Sequence, residues 1–85
     1  MDQNTLNRII GNNIKKYRLL YSENKSKMTQ ENLAELLNVS VSLISSLESN
    51  KTNKGISITN LYKISIILDV PIHKFFEVEN EKWYN

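Results

Sequence analysis

One short segment, AELLNVSVSLISSL from Ala34 to Leu47, constrains the fold of this 85-residue chain more than any other. Its apolar residues recur at helical spacing on both sides of Asn38, and asparagine is the non-glycine residue that best tolerates the left-handed backbone of a sharp helix exit. The small Ala34 allows a close helix crossing, and Val39, Ile44 and Leu47 are placed to fix it. The spacing predicts two short helices joined by a tight turn.

The rest of the chain is also predicted to be helical, because only two glycines and one proline interrupt it and strand-like alternation is rare. A first helix is expected from about Thr5 to Ser22. Thr29 can cap the second helix, which ends near Leu37, and Ser40 can cap the third. The first helix carries apolar residues at helical spacing: Ile10, Ile14, Tyr17 and Tyr21.

Two further helices are predicted in the second half. Ser57 can cap a fourth helix, and Pro71 suits the first turn of a short fifth one. The inward residues of the fourth are expected to be Ile58, Leu61, Ile64 and Leu68, and the fifth carries Ile72, Phe75 and Phe76. The predicted fold is therefore an all-α, compact five-helix domain over residues 1–85. Its core spans about 6–77, and 78–85 form a tail or an extra helical turn.

Composition excludes several classes of function. There are no cysteines, so disulfides and thiolate metal sites are absent, and a reducing compartment such as the cytoplasm is expected. The longest apolar run is too short to span a membrane. His73 is the only histidine and is expected to pack beside Phe75, without metal or catalytic partners. No enzyme activity, metal, cofactor or small-molecule ligand is predicted.

Charge is unevenly distributed although the net charge is only +2. The region before residue 28 is basic, and the region from Asp69 onward is mostly acidic. A solvated surface and a side that faces a polyanion both fit this pattern. The early basic residues are Arg8, Lys15, Lys16, Arg18, Lys25 and Lys27.

Several positions at fixed spacing carry a family resemblance. The stretch TQENLAELLNVSVSLISSLESNK, followed downstream by SITNLYKISIILDVPIHKFF, resembles the lambda-repressor-like family, also called Cro or Xre-type helix-turn-helix domains. The resemblance extends from about Ile14 to Phe76 and makes helices 2 and 3 the helix-turn-helix. The loop between Arg18 and Thr29 is longer than is usual in the family, and Asn50 stands where glycine is common.

The resemblance implies a DNA-binding surface. Thr29 and Gln30, at the start of helix two, would meet a phosphate. Helix three would lie in the major groove, and residues 50–52 would contact the backbone beyond it. Ser40 also has a role as a helix cap, and Leu43 could touch a sugar or a thymine methyl group. The implied DNA-binding residues are Thr29, Gln30, Ser40, Val41, Ser42, Leu43, Ser45, Ser46, Asn50, Lys51 and Thr52.

The resemblance also implies a structural ion pair. An acidic residue on a helix that faces DNA is unsuited to contact it. The family pattern instead pairs Glu48 with an arginine of helix one, which here is Arg18.

A homodimer is expected through helices four and five, because apolar residues lie outside their core stripe. Two copies about 34 Å apart would read a near-palindromic operator. The alternative is that helix five and the tail cover these residues within one monomer. The predicted interface residues are Tyr62, Ile66, Ile67, Phe75 and Phe76.

The predicted function is sequence-specific binding of double-stranded DNA by a small transcriptional regulator, most simply a dimeric repressor or autoregulator. Controller proteins of restriction-modification systems and antitoxins share such a domain and are alternatives. A second alternative is a protein-interaction module that has lost DNA binding. Because helix three has no arginine, no bidentate guanine contact can come from it, and an A/T-leaning operator is expected.

Overall fold

The computed structural model describes residues 1–49 and 54–78 and is all-helical over them, as predicted. The expectation of five α-helices is wrong, because the last segment is a 3-10 helix. Its hydrogen bonds join residues three apart, from Lys74 N to the Pro71 oxygen and from Glu77 N to the Lys74 oxygen. The elements are α1 Gln3–Asn24, α2 Gln30–Leu37, α3 Val41–Ser49, α4 Ile58–Ile67 and the 3-10 helix Ile72–Phe76.

Helix α1 is longer than predicted at both ends. It begins at Gln3 because Asp2 caps it: the Thr5 backbone N–H donates to Asp2 Oδ1 at 2.8 Å. This hydrogen bond lowers the pKa of the Asp2 carboxyl. The other end continues to Asn24, which shortens the loop before α2.

The predicted turn between α2 and α3 is confirmed in detail. Asn38 has φ 60° and ψ 46°, the left-handed conformation. Its N–H donates to the Glu35 oxygen, and the Val39 N–H donates to the Ala34 oxygen at 3.0 Å. At the other end of α2, Thr29 and Asn32 exchange side chain to backbone hydrogen bonds of 3.0 Å, a capping box.

The core lies where α1, the α2–α3 pair and α4 meet, and the 3-10 helix closes it against α1. Ile58, predicted to face inward, is instead 65% exposed. Positions four apart on a helix differ by about 40° in direction, so Ile58 shares a side with Tyr62 and Ile66. The buried apolar residues are Ile10, Ile14, Met28, Leu33, Ala34, Leu37, Ile44, Leu47, Leu61, Ile64, Leu68 and Phe75.

Phe75 is fully buried, which contradicts its predicted place in a dimer interface. Its ring packs edge to face on Tyr17, with centroids 5.3 Å apart. The amide nitrogen of Asn13 donates to the Phe75 oxygen at 2.8 Å and the Glu77 oxygen at 2.9 Å, which ties this segment to α1. His73 is exposed and is not packed beside Phe75 as predicted.

Gly11 lies where α1 approaches the backbone of α3 closely. A Cβ atom at this position would collide with the backbone oxygen of Leu47. The absence of a side chain therefore lets the two helices cross at backbone contact, and this holds α3 against α1.

Candidate nucleic-acid interface

One face of helix α3 carries short side chains and is directed outward, and the opposite face is packed in the core. Ile44, Leu47 and Glu48 are buried. Val41 is 41% exposed, Ser42 and Ser45 are exposed, and Ser46 is half-buried. These four predicted DNA-binding residues therefore share the outer side of α3, where no long side chain keeps a ligand at a distance.

The start of α3 is organised by Ser40. Its hydroxyl accepts from the Leu43 N–H at 3.2 Å, so Ser40 acts as the predicted cap. Leu43 is half-buried and packs against the core cluster. Only part of the Leu43 side chain remains for an outside contact.

The structure brings Arg18 and Glu48 together in a buried, bidentate ion pair. Arg18 Nε donates to Glu48 Oε2 at 2.8 Å, and Nη2 donates to Oε1 at 2.9 Å. The side chains are 10% and 2% exposed, respectively. The pair joins the middle of α1 to the end of α3, so it holds the outer face of α3 in a set orientation.

The same arginine also positions the start of α2. Arg18 Nη1 donates to the Met28 backbone oxygen at 3.0 Å. The Ser22 hydroxyl accepts from the Met28 N–H at 2.7 Å and donates to the Met28 oxygen at 3.0 Å. These three hydrogen bonds hold Met28 against α1. Met28 lies one residue before Thr29, at the N-terminal end of α2, where the helix dipole is positive.

Gln30 makes a contact that the sequence did not indicate. Its Nε2 donates to Glu48 Oε1 at 3.0 Å. The two residues are 18 positions apart on different helices, and no local spacing pattern relates them. The structure thus joins a predicted DNA contact, Gln30, to the buried pair of Arg18 and Glu48.

Three of the predicted DNA-binding residues, Asn50, Lys51 and Thr52, lie outside the described residues. Within the described residues, no three His, Cys, Asp or Glu side chains are grouped so that they could hold a metal ion. In the same part of the chain no helix is long and apolar enough to cross a membrane.

An exposed apolar strip runs along α4. Ile58, Tyr62 and Ile66 are 65%, 56% and 61% exposed and follow one another at intervals of four residues. We call these three residues the α4 stripe. Phe76 is 41% exposed, whereas Ile67 is half-buried against the core. Of the predicted interface residues, Tyr62, Ile66 and Phe76 are thus at the surface, Ile67 is partly so, and Phe75 is not.

Comparison with known proteins identifies the family of this chain. The family model for helix-turn-helix domains of the Cro/C1 type matches residues 14–75, about three quarters of the chain. The match begins within α1, includes both α2 and α3, and ends in the 3-10 helix. The search among curated proteins gave no significant match.

Proposed function

Because this chain belongs to the helix-turn-helix family of the Cro/C1 type, we propose that it is a sequence-specific, double-stranded DNA-binding transcriptional regulator. Its simplest mode of action is as a dimeric repressor or autoregulator in the cytoplasm, without a cofactor. The family consists of DNA-binding regulatory domains. The observation that supports the finer proposal is that the outer face of α3 is exposed, while the buried ion pair of Arg18 and Glu48 fixes its orientation.

In this proposal α3 lies in the major groove and its short side chains read base edges. Val41 contacts thymine methyl groups, and Ser42, Ser45 and Ser46 make single hydrogen bonds. Short side chains allow the helix backbone to approach the bases closely. Because none of them can make a bidentate contact with guanine, the operator is expected to lean toward A/T and to be read partly through its shape.

The DNA backbone is bound on both sides of α3. Thr29 and Gln30 contact a phosphate where the positive end of the α2 dipole favours an anion. Asn50, Lys51 and Thr52 follow α3 in the sequence and contact the backbone beyond it, and Ser40 and Leu43 flank the groove. These contacts fix the position of the protein on the duplex and carry no base information by themselves.

A dimer would bind two half-sites of the operator, one with each copy. The α4 stripe is a row of three large apolar side chains in water, and two such rows are self-complementary about a two-fold axis. The proposed contact also includes Phe76, which is 41% exposed, and the exposed part of Ile67. Two copies would then place their α3 helices about one turn of DNA, roughly 34 Å, apart.

Selection of bound sequences from a random duplex pool tests this function. We expect enrichment of a two-fold symmetric, A/T-leaning motif, and affinity that falls steeply with salt because phosphate contacts release counterions. Affinity without salt dependence, or no enrichment at all, would support a protein-interaction module instead. An operator core dominated by G·C pairs would contradict the reading by serine and valine.

Single substitutions separate base reading from backbone binding. We expect Ser42→Ala and Ser46→Arg to change which bases are enriched, because these side chains face base edges in the proposal. Lys51→Ala should weaken binding to all sequences alike. Unchanged base preference in both serine variants would refute the assignment of α3.

A further inference from the structure

The Glu48 side chain accepts more hydrogen bonds than an ion pair requires. Two come from Arg18, at 2.8 Å to Oε2 and 2.9 Å to Oε1, and a third comes from Gln30 Nε2, at 3.0 Å to Oε1. With only 2% of its side chain exposed, Glu48 is held by α1 on one side and by the start of α2 on the other. The third bond joins a buried carboxylate to a side chain on the proposed DNA-binding surface.

This bond determines which way the Gln30 amide points. Both oxygens of Glu48 accept from the guanidinium of Arg18 in an ion pair, and the carboxylate of such a pair can only accept. The amide nitrogen of Gln30 must therefore face Glu48, and the amide oxygen must face away. One of the two N–H groups is used by Glu48, and the nitrogen keeps one N–H for another acceptor.

We propose that Glu48 is a positioning residue for DNA binding: it holds the Gln30 amide so that the second N–H of the nitrogen donates to a DNA phosphate. The Gln30 nitrogen then lies between two anions and donates to both. This inference rests on the proposed function and adds to it a residue that does not touch DNA. Since Glu48 also holds Arg18, the orientation of α3 and the phosphate contact of α2 depend on one carboxylate.

The proposal can be tested because it predicts the opposite change in DNA affinity from the one that net charge alone predicts. Removal of a negative charge from a DNA-binding protein should by itself strengthen binding to phosphates. The substitution Glu48→Gln leaves only one side-chain oxygen, which the guanidinium of Arg18 would occupy. The new NH₂ group would then favour the opposite orientation of Gln30, in which the amide oxygen replaces the nitrogen between residue 48 and the phosphate. The N–H that donates to the phosphate is then lost, and DNA binding should weaken.

The experiment is a double-mutant cycle on affinity for a duplex selected from the random pool, at fixed salt and with folding checked by circular dichroism. We expect Gln30→Met to weaken binding about fivefold on every sequence, as the loss of one hydrogen bond would, and Glu48→Gln to weaken it at least as much, because it also removes a hydrogen bond of Arg18. The double variant should bind as Glu48→Gln alone does, rather than about fivefold more weakly still, because Gln30→Met has no further contact to remove once Glu48 is changed. Glu35→Gln, exposed on α2, is the matched charge control and should bind equally or more tightly.

Multiplying losses in the double variant, or Glu48→Gln binding as well as the unchanged chain, would overturn the inference and leave the proposed function intact. If the unchanged chain binds no duplex, the proposed function itself fails. Should Glu48→Gln not fold, nitrogen-15 relaxation of the Gln30 side-chain amide in the unchanged chain decides. We expect an order parameter of about 0.85, as in rigid backbone, and a value below about 0.6 would overturn the positioning role.

Discussion

At the scale of single residues, the two glycines occupy very different surroundings. Gly11 lies inside α1 where the helix touches the backbone of α3, and an added Cβ would collide with the Leu47 oxygen. At Gly55 an added Cβ would lie 3.4 Å from the side-chain oxygen of Asn7, which is an ordinary contact. An added methyl group should therefore be tolerated at Gly55 but not at Gly11.

Gly11→Ala tests this close approach. In an unobstructed helix this substitution stabilises by up to about 1 kcal/mol, but here it should lower the free energy of unfolding by about 2 kcal/mol or more, since the backbone oxygen of Leu47 cannot move aside cheaply. Urea denaturation measures the difference, and Gly55→Ala is the control expected to have little effect. A stabilised Gly11→Ala variant would contradict the close crossing.

Asp69 is a second residue whose role depends on its surroundings. It has φ 58°, and its Oδ2 lies 2.7 Å from Lys25 Nζ, across the space between the end of α1 and the turn after α4. The ammonium group lowers the pKa of the Asp69 carboxyl below 3.8, and the carboxylate raises the pKa of Lys25 above 10.5. Both groups are exposed, so salt should weaken the pair.

The pair predicts a small acid-dependent part of stability. Because the folded pKa of Asp69 is lowered, its contribution is present above the unfolded pKa of about 3.8 and is lost as pH falls through the folded pKa. Asparagine also tolerates positive φ. Asp69→Asn should therefore reduce the change in the free energy of unfolding with pH in this window. Denaturation midpoints at pH 2 to 6 in low and high salt measure it. An unchanged curve for Asp69→Asn in low salt would contradict the pair.

At the scale of elements, two helices begin with equivalent caps but have different proposed roles. Thr29 Oγ1 accepts from the Asn32 N–H at 3.0 Å, and Ser57 Oγ accepts from the Asn60 N–H at 3.1 Å. Only Thr29 starts the helix that meets a phosphate in the proposed function. The two caps therefore form a matched pair for separating stability from binding.

We expect Thr29→Ala and Ser57→Ala each to lower the free energy of unfolding by about 1 kcal/mol, because each leaves a helix N–H without its side-chain partner. Only Thr29→Ala should also weaken DNA binding. Chemical denaturation and titration with a selected duplex give the two quantities. Equal loss of DNA affinity in both variants would show that Thr29 does not contact DNA.

At the scale of the whole molecule, the α4 stripe is the surface that would join two copies. Its three side chains are all more than half exposed. Lys63 is exposed on the same helix but lies beside the stripe, about 100° around the helix axis from Tyr62 and about 60° from Ile66. A charge placed in the stripe should therefore disturb assembly, whereas the same charge at Lys63 should not.

We expect sedimentation to show a dimer for the unchanged chain at micromolar concentration and a monomer for Tyr62→Asp, because a carboxylate would be buried without a partner. Lys63→Asp is the control that should remain dimeric. A monomeric unchanged chain, with Tyr62→Asp making no difference, would refute the dimer.

The sequence by itself determined the features that depend on a few neighbouring residues. Hydroxyl caps at Thr29 and Ser57 and the left-handed turn at Asn38 are confirmed, because each reflects bonds or backbone preferences within about four positions. The all-helical class follows from the spacing of apolar residues. The family pattern also led to Arg18 and Glu48, which the folded chain brings together.

Only the tertiary structure decided the features that depend on contacts between distant helices. The close crossing at Gly11, the burial of Phe75 and the exposure of Ile58 depend on where a neighbouring helix lies. Helical periodicity gives the direction of a side chain, but it does not show which side is covered. For the same reason the hydrogen bond from Gln30 to Glu48, across 18 positions, became visible only when α2 and α3 were packed together.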